Sequence, residues 1–223
     1  MHWKDEGYLL FKTNFDENSI IIEAFTLNHG KFAGVVYGGS SRKHKKNFQI
    51  GNKILLNWKS KNENKMGYFN TELIKPVSPL FFDDKKKTTC LLAASSILKI
   101  LLPERQINKQ IYFSFEELIN KLNYEGWIES YIFWELSLIK ELGFESNILD
   151  NESLKTSIDK TVEINNKHFK IPNLLFEKSG KKFTESEIKE ALIFNKNLFM
   201  HNFIEPNSLR FPLSRSILEK YYN

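Results

Sequence analysis

Tyr37-Gly38-Gly39-Ser40-Ser41-Arg42-Lys43-His44-Lys45-Lys46-Asn47-Phe48 is the stretch on which the reading of the first third of this chain turns. Two glycines open it, and four cationic side chains fall within the five residues 42–46, with His44 among them. One apolar run, 32–37, precedes the stretch and another, 54–58, follows it. That is the pattern of a basic loop carried between two strands, with glycines supplying the turn at its entrance. Such a loop can be held out to a phosphate backbone. The competing reading is a solvated loop that serves only solubility.

Outward from the loop, residues 7–12, 20–26, 31–37, 53–60 and 67–74 are rich in β-branched and aromatic side chains. Polar clusters separate them, such as Asn14-Phe15-Asp16-Glu17-Asn18 and Asn28-His29-Gly30. Five short strands with no long helix among them predict a small closed or partly open barrel, with the OB-fold as leading candidate. In that fold a long connection joins the third and fourth strands, and residues 38–52 take its place. Strand alternation puts Lys31, Ala33, Val35 and Tyr37 on one face and Phe32, Gly34 and Val36 on the other. Likewise Lys53, Leu55, Asn57 and Lys59 oppose Ile54, Leu56 and Trp58. Trp58 is expected in the core. The lysines and Tyr37 are expected on an accessible side, with Tyr37 a candidate for stacking on a base.

Lys75-Pro76-Val77-Ser78-Pro79 then breaks the pattern, and the period beyond it becomes helical. Leu91, Leu92, Ile97, Leu98, Leu101 and Leu102 recur on one helix, which Pro103 ends. Further helices are predicted over about 113–123, with Ser114 and Glu117 spaced as a capping box, and over about 128–142, with Gly143 as its stop. A hairpin over 161–171, a helix from the Thr184/Glu187 capping box to about Phe194, and a last helix opening at Pro212 complete the chain. The expected fold class is therefore α+β: an N-terminal five-stranded OB-fold barrel, residues 1–76, followed by a mainly α-helical C-terminal domain, residues 77–223.

Charge is distributed as unevenly as structure. Residues 1–78 contain 12 Lys/Arg and 7 Asp/Glu, whereas residues 79–223 contain 20 of each, so the whole net charge of +5 lies in the first third. No acidic residue occurs between Glu23 and Glu63. Lysine supplies 28 of the 32 cations, a bias that genome base composition can produce, but such a bias does not remove acids. The chain contains no apolar run long enough to cross a membrane and no signal-peptide pattern, and Cys90 is its single cysteine. A cytoplasmic protein without disulfides is expected.

Catalysis finds little support. Asp83-Asp84 precede a helix whose N-terminal dipole favours carboxylates, so they are read as helix-start residues. His2, His29, His44, His168 and His201 are scattered singly, without metal-ligand spacing, and no Walker, GxSxG or GxGxxG pattern occurs. Cys90 lies among apolar residues, where a buried inert thiol is the default. Lys85-Lys86-Lys87 reads as a solvated helix face. No catalytic residue, metal ligand or cofactor is expected. The candidate nucleic-acid contacts are Lys31, Tyr37, Arg42, Lys43, His44, Lys45, Lys46, Lys53, Lys59 and Lys61. If four to six of them meet phosphates, affinity for a single strand should fall with salt at a log–log slope of about −3 to −4. Nothing resembles a recognition helix, so binding without sequence preference is expected.

The order of features resembles the bacterial DNA repair protein RecO family of recombination mediators. The resemblance runs through Trp3-Lys4-Asp5-Glu6-Gly7 and Glu23-Ala24-Phe25-Thr26-Leu27-Asn28-His29-Gly30-Lys31. It is clearest at Gly34-Val35-Val36-Tyr37-Gly38-Gly39-Ser40-Ser41-Arg42 with Gln49-Ile50-Gly51-Asn52. In the second half it is carried by Trp134-Glu135-Leu136-Ser137-Leu138-Ile139-Lys140-Glu141-Leu142-Gly143-Phe144, by Lys178-Ser179-Gly180-Lys181-Lys182-Phe183 and by Phe211-Pro212-Leu213-Ser214-Arg215. The resemblance implies an OB-fold followed by a helical domain, with no catalytic turnover. It implies binding of single- and double-stranded DNA, strand annealing and, with RecR, RecA loading onto DNA coated by single-stranded-DNA-binding protein (SSB). It further implies a nucleoid-associated protein when active, and a helical-domain site for the acidic C-terminal tail of SSB.

Two departures from the family pattern stand out. Many relatives carry a four-cysteine zinc site after the central helix, but residues 145–169 contain no cysteine, so no zinc is expected. Where some relatives place arginine before Trp134, this chain has Ile132 and Phe133. Trp134 with Lys140 is the substitute tail site offered here. The reading from a different class is a protein–protein adaptor whose basic barrel binds an acidic partner.

Overall fold

The computed structural model describes residues 1–42, 44–62, 66–143, 161–164, 167–176 and 182–222. The chain divides by packing into two compact units, Met1–Phe113 and Ser114–Asn223.

The first unit is built on five strands: β1 (His2–Asn14), β2 (Ile20–Thr26), β3 (Gly30–Val36), β4 (Lys53–Lys59) and β5 (Gly67–Lys75). They close into a barrel in the order β1-β2-β3-β5-β4, and β4 returns to β1. All neighbours run antiparallel except β3 and β5, which meet in parallel at only two positions, Gly34 opposite Gly67 and Val35 opposite Tyr68. This is the OB-type arrangement expected from strand spacing. β1 is longer than its hydrophobic pattern indicated because it serves two partners. His2–Tyr8 pair with β4, and from Gly7 onward the strand pairs with β2, with a register shift between Leu9 and Phe11 where the two pairings hand over. Bulges of this kind bend a strand around a barrel.

Alternation fills the interior. Leu9, Ile22, Ala24, Val36, Ile54, Leu56, Trp58 and Phe69 form the barrel core, with Trp3 and Phe32 against it. Trp58 is buried as expected. Glycine is required at 67, where a Cβ would come within 2.4 Å of the Trp58 indole. The β2–β3 turn is tied to β1 by Asp5. Its buried carboxylate accepts hydrogen bonds from the Glu6 and Asn28 backbone N–H groups and from the Asn28 side chain, and lies 2.9 Å from His29 Nδ1. The His29 ring in turn stacks on Trp3 at 4.2 Å.

A 3-10 turn, Ser78–Phe81, leads into α1 (Lys85–Leu101), whose N-cap Asp84 accepts from Lys87 N–H. α1 covers part of the outer face of the barrel. Its Lys99 lies 3.3 Å from the Phe11 ring centroid and 3.6 Å from Glu23, and Cys90 on it is buried. α2 (Lys109–Lys121) begins four residues before the start at 113 expected from sequence. Asn108, not Ser114, opens it, its side chain accepting from Ile111 N–H. The stronger Asx cap lies upstream of the apparent capping box and leaves the box as an ordinary turn.

The second unit contains α3 (Trp127–Glu141), the hairpin β6 (Thr161–Ile164) and β7 (Lys167–Lys170), α4 (Glu185–Phe199) and α5 (Leu213–Lys220). Gly143 takes φ +91, the left-handed stop expected of it. The Thr184/Glu187 capping box is formed, but α4 continues past Phe194 to Phe199 and through a π-turn, Met200–Ile204. Leu198 and Phe199 extend its buried stripe, so nothing ends the helix at the expected point. The polar segment after Phe144 and the Ser-Gly-basic turn at 178–181 lie outside the described residues.

Candidate nucleic-acid interface

The β3–β4 connection is a loop with fixed ends and a free tip. At its entrance Gly38 adopts φ +74, a left-handed turn with open space around it. Gly39 N–H donates to Val36 O, and Ser40 is held by the β1–β2 turn, its N–H donating to Asn18 O and its hydroxyl to Glu17 O. At the exit Phe48 plugs the barrel core, and Gly51 and Asn52 exchange backbone hydrogen bonds with Leu9. Asn52 is fully buried: its amide donates to Asn47 O and its Oδ1 accepts from Ser78 N–H. Between these latches, His44 and Lys45 N–H donate to Ser41 O and Asn47 N–H to His44 O, winding the tip into tight turns.

Arg42, His44, Lys45 and Lys46 are exposed on that tip; Lys43 lies outside the described residues. Among the described residues none of these side chains is ion-paired. The acid-free stretch of sequence is not wholly acid-free in space, because the β1–β2 turn, which carries Asp16 and Glu17, meets Ser40 through the backbone oxygens of Glu17 and Asn18. Asp16 is committed locally, accepting from Asn18 and Ser19 N–H. One cation that the sequence reading missed joins the loop. Half-buried Lys12 shares with Lys45, Thr13, Asn14, Ile20, Gly39, Ser40 and Phe48 a cavity of about 470 Å³. Burial and the Lys45 charge push the Lys12 ammonium below its ordinary pKa. Its position on the first strand, far from the loop in sequence, held no hint of this.

A second group gathers where the barrel closes. Lys59 and Lys61 are exposed and line a cavity of about 480 Å³ with Met1, His2, Ser60 and Tyr68. Tyr37 is 68% exposed, and its ring centre lies 5.9 Å from that of Tyr68.

Three of the sequence expectations need correction. Lys31 points outward as alternation requires but is buried. Its ammonium donates to Lys99 O at the end of α1, while burial first and Lys99 second depress its pKa against the pull of Glu23 and Glu104. Lys53 is likewise drawn in, paired with Glu6 at 2.8 Å and lying over the Tyr8 and Tyr112 rings. The expected accessible row of lysines is thus broken where α1 and the start of α2 pack on the outside of the barrel. Trp134 is buried against Tyr131, their ring centres 5.8 Å apart, so it offers no surface to a peptide, while Lys140 is exposed.

Among the described residues no group of three or more His, Cys, Asp or Glu side chains is arranged to hold a metal ion, and no helix is long and apolar enough to cross a membrane.

A closed OB-type barrel that carries exposed cations and exposed aromatic rings, followed by a helical unit, defines the class of protein. Two family models match in that order: Recombination protein O N terminal over residues 1–77, and Recombination protein O C terminal over residues 83–151. The chain belongs to the recombination protein O (RecO) family. It is 36% identical over 144 residues to the DNA repair protein RecO of Cereibacter sphaeroides, covering 65% of this chain and 60% of that one. It is 35% identical over 146 residues to the DNA repair protein RecO of Roseobacter denitrificans, again covering 65% and 60%. With the protein of the same name from Wolbachia sp. subsp. Drosophila simulans it shares 33% over 150 residues, covering 66% and 62%. The chain therefore aligns with about three fifths of the length of these relatives.

Proposed function

We propose that the protein binds DNA in DNA repair, with the Arg42–Lys46 run as its main contact and Lys12, Lys59 and Lys61 beside it. The observation that supports this most is the loop itself: exposed Arg42, Lys45 and Lys46, without carboxylate partners among the described residues, on a frame latched at both ends. Cations left in water and held at fixed anchors suit phosphates, whose counterions they release on binding. Phosphate contacts position a strand without reading its bases, so binding is largely independent of sequence.

Neutralising two strands on one surface lowers their mutual repulsion, which is the physical basis for annealing complementary strands. In keeping with its family, the protein acts as a recombination mediator that, with RecR, loads RecA onto SSB-coated single strands. The helical unit receives the acidic SSB tail, with Lys140 rather than buried Trp134 at its surface. The role is one of binding and hand-off in the cytoplasm, without turnover, metal or cofactor.

Fluorescence anisotropy of a labelled single-stranded oligonucleotide over a salt series tests the reading. Replacing Arg42, Lys45 and Lys46 by alanine should weaken binding and flatten the log–log slope by about 2, given roughly 0.7 per lost phosphate contact on a single strand. Unchanged affinity and slope would overturn it. Annealing of complementary oligonucleotides, with and without SSB, tests the mediator role.

A further inference from the structure

The strand register lays one row of side chains across the outside of the barrel where it closes. His2 on β1 stands opposite Lys59 on β4, Lys59 opposite Tyr68 on β5, and Tyr68 opposite Val35 on β3. Tyr37 follows two residues after Val35, on the same side of the chain, and its ring meets that of Tyr68. Residues 2, 59 and 61 are exposed, Tyr68 is half-buried, and Tyr37 is among the most exposed large side chains of the described residues. Of the other aromatic rings on the first unit, Trp3, Phe32, Trp58 and Phe69 pack on each other and Tyr8 and Phe25 against Tyr112, while the exposed Phe15, Phe82 and Phe113 lie off this row.

The two tyrosine rings are tilted by 52°, so Tyr68 braces one side of Tyr37 and leaves no parallel slot between them. Tyr37 itself is 68% exposed, and among the described residues only the Tyr68 ring packs near it. Beyond Tyr68 the row turns to Lys59 and Lys61, which with His2 line the shallow open depression that Tyr68 also borders. An aromatic platform beside a lysine-lined hollow is the arrangement that holds single-stranded nucleic acid, with a base on the ring and its phosphates on the cations. A duplex, whose bases are already stacked, cannot use the ring.

From this arrangement, and resting on the reading of the protein as DNA-binding, we infer that Tyr37 and Tyr68 form a base-stacking subsite. A single strand crosses the barrel closure there, an unpaired base lying on Tyr37 and the adjoining phosphates on Lys59 and Lys61. The subsite, unlike the basic loop, tells unpaired strands from duplex.

The test compares two labelled oligonucleotides of equal length and charge, one ordinary single-stranded DNA and one with abasic positions throughout. Wild-type protein should bind the ordinary strand about tenfold more tightly. Tyr37→Ala should bring the two affinities together while leaving the salt slope of the abasic probe as it was, and Tyr37→Phe should keep the preference. Tyr37 is exposed at the end of β3, so its replacement does not threaten the core; Tyr68→Leu, which keeps the bulk at the closure, should reduce the preference as well. Equal binding of both probes by the wild type, or an undiminished preference in Tyr37→Ala, would overturn the subsite and leave the loop-based reading standing. Absence of binding by either probe would overturn both.

Discussion

Arg42 and Arg215 belong to the same chain and carry the same charge, yet they occupy opposite regimes. Arg42 stands in water on the β3–β4 loop without a carboxylate among the described residues. Arg215, on α5, is fully buried: its Nε donates to Glu135 Oε1 at 2.6 Å and its Nη2 to Glu135 Oε2 and Leu192 O. The same buried carboxylate accepts from the Tyr131 hydroxyl and the Asn195 amide, so one salt bridge joins α3, α4 and α5. Burial alone would ease the proton off Arg215, but Glu135, with Tyr131 and Glu219, holds it charged well above the ordinary value. Arg42, Lys45 and Lys46 are exposed and, among the described residues, unpaired, which costs the fold little and leaves them available to a partner. The buried pair is committed to the fold, where either member alone would be costly.

The largest effect follows from breaking the buried pair. Glu135→Ala or Arg215→Ala should destabilise the helical unit by about 3–5 kcal/mol, because each strips a buried charge of its main partner. Chemical denaturation followed by circular dichroism reads this directly. Joint replacement by Leu and Met should recover much of the loss, since a well-packed apolar pair can match a buried ion pair.

Asn52→Ala comes next. It strips a hydrogen-bond partner from buried Ser78 N–H and releases Asn47 O, and it should cost about 1–3 kcal/mol. Amide exchange should then quicken across residues 47–52, showing that the loop depends on its latch even though its tip does not.

Acid should reveal Asp5. Burial by itself would raise this carboxyl, but hydrogen bonds from His29, Asn28 and Glu6 outweigh it and hold the pKa below its ordinary 3.8. A carboxylate with a depressed folded pKa contributes stability that is present above the unfolded value and lost as pH falls through the folded one. Asp5→Ala should therefore be less stable than wild type at neutral pH, with the gap narrowing below about pH 4. A gap constant from pH 7 to pH 2 in urea midpoints would show that Asp5 acts by packing alone.

The smallest stability effect should come from the loop. Alanine at Arg42, Lys45 and Lys46 together should shift unfolding by no more than about 0.5 kcal/mol per site, as for exposed positions without partners. A large loss would mean that these cations, like Arg215, belong to the fold.

Much of this was open to reading in the residues. Period-two alternation located the five strands and set Ile54, Leu56 and Trp58 inward; the Thr184/Glu187 box and Gly143 marked helix ends because caps are local chemistry. The start of α2 was misread for the same local reason: two caps compete there, and the preference of Asn108 is decided by where Ile111, Tyr112 and Phe115 are buried. Of the candidate site, the loop was evident from its charge run. Lys12 and Tyr68 were not, since nothing in their own stretches connects them with residues 37–46.

What the sequence determined by itself was therefore one-dimensional: which residues are strand or helix, which side of a strand each faces, and where charge is concentrated. Tertiary structure alone decided which outward lysines remain in water. Lys31 and Lys53 share the outward parity of Lys59, but helix α1 and the start of α2 lie over the first two and nothing among the described residues covers the third. It also set His2, Lys59, Tyr68 and Tyr37 side by side, through pairings between strands distant in sequence. The physical reason is that alternation follows from the geometry of a single strand, whereas exposure and adjacency depend on what the rest of the chain brings against it.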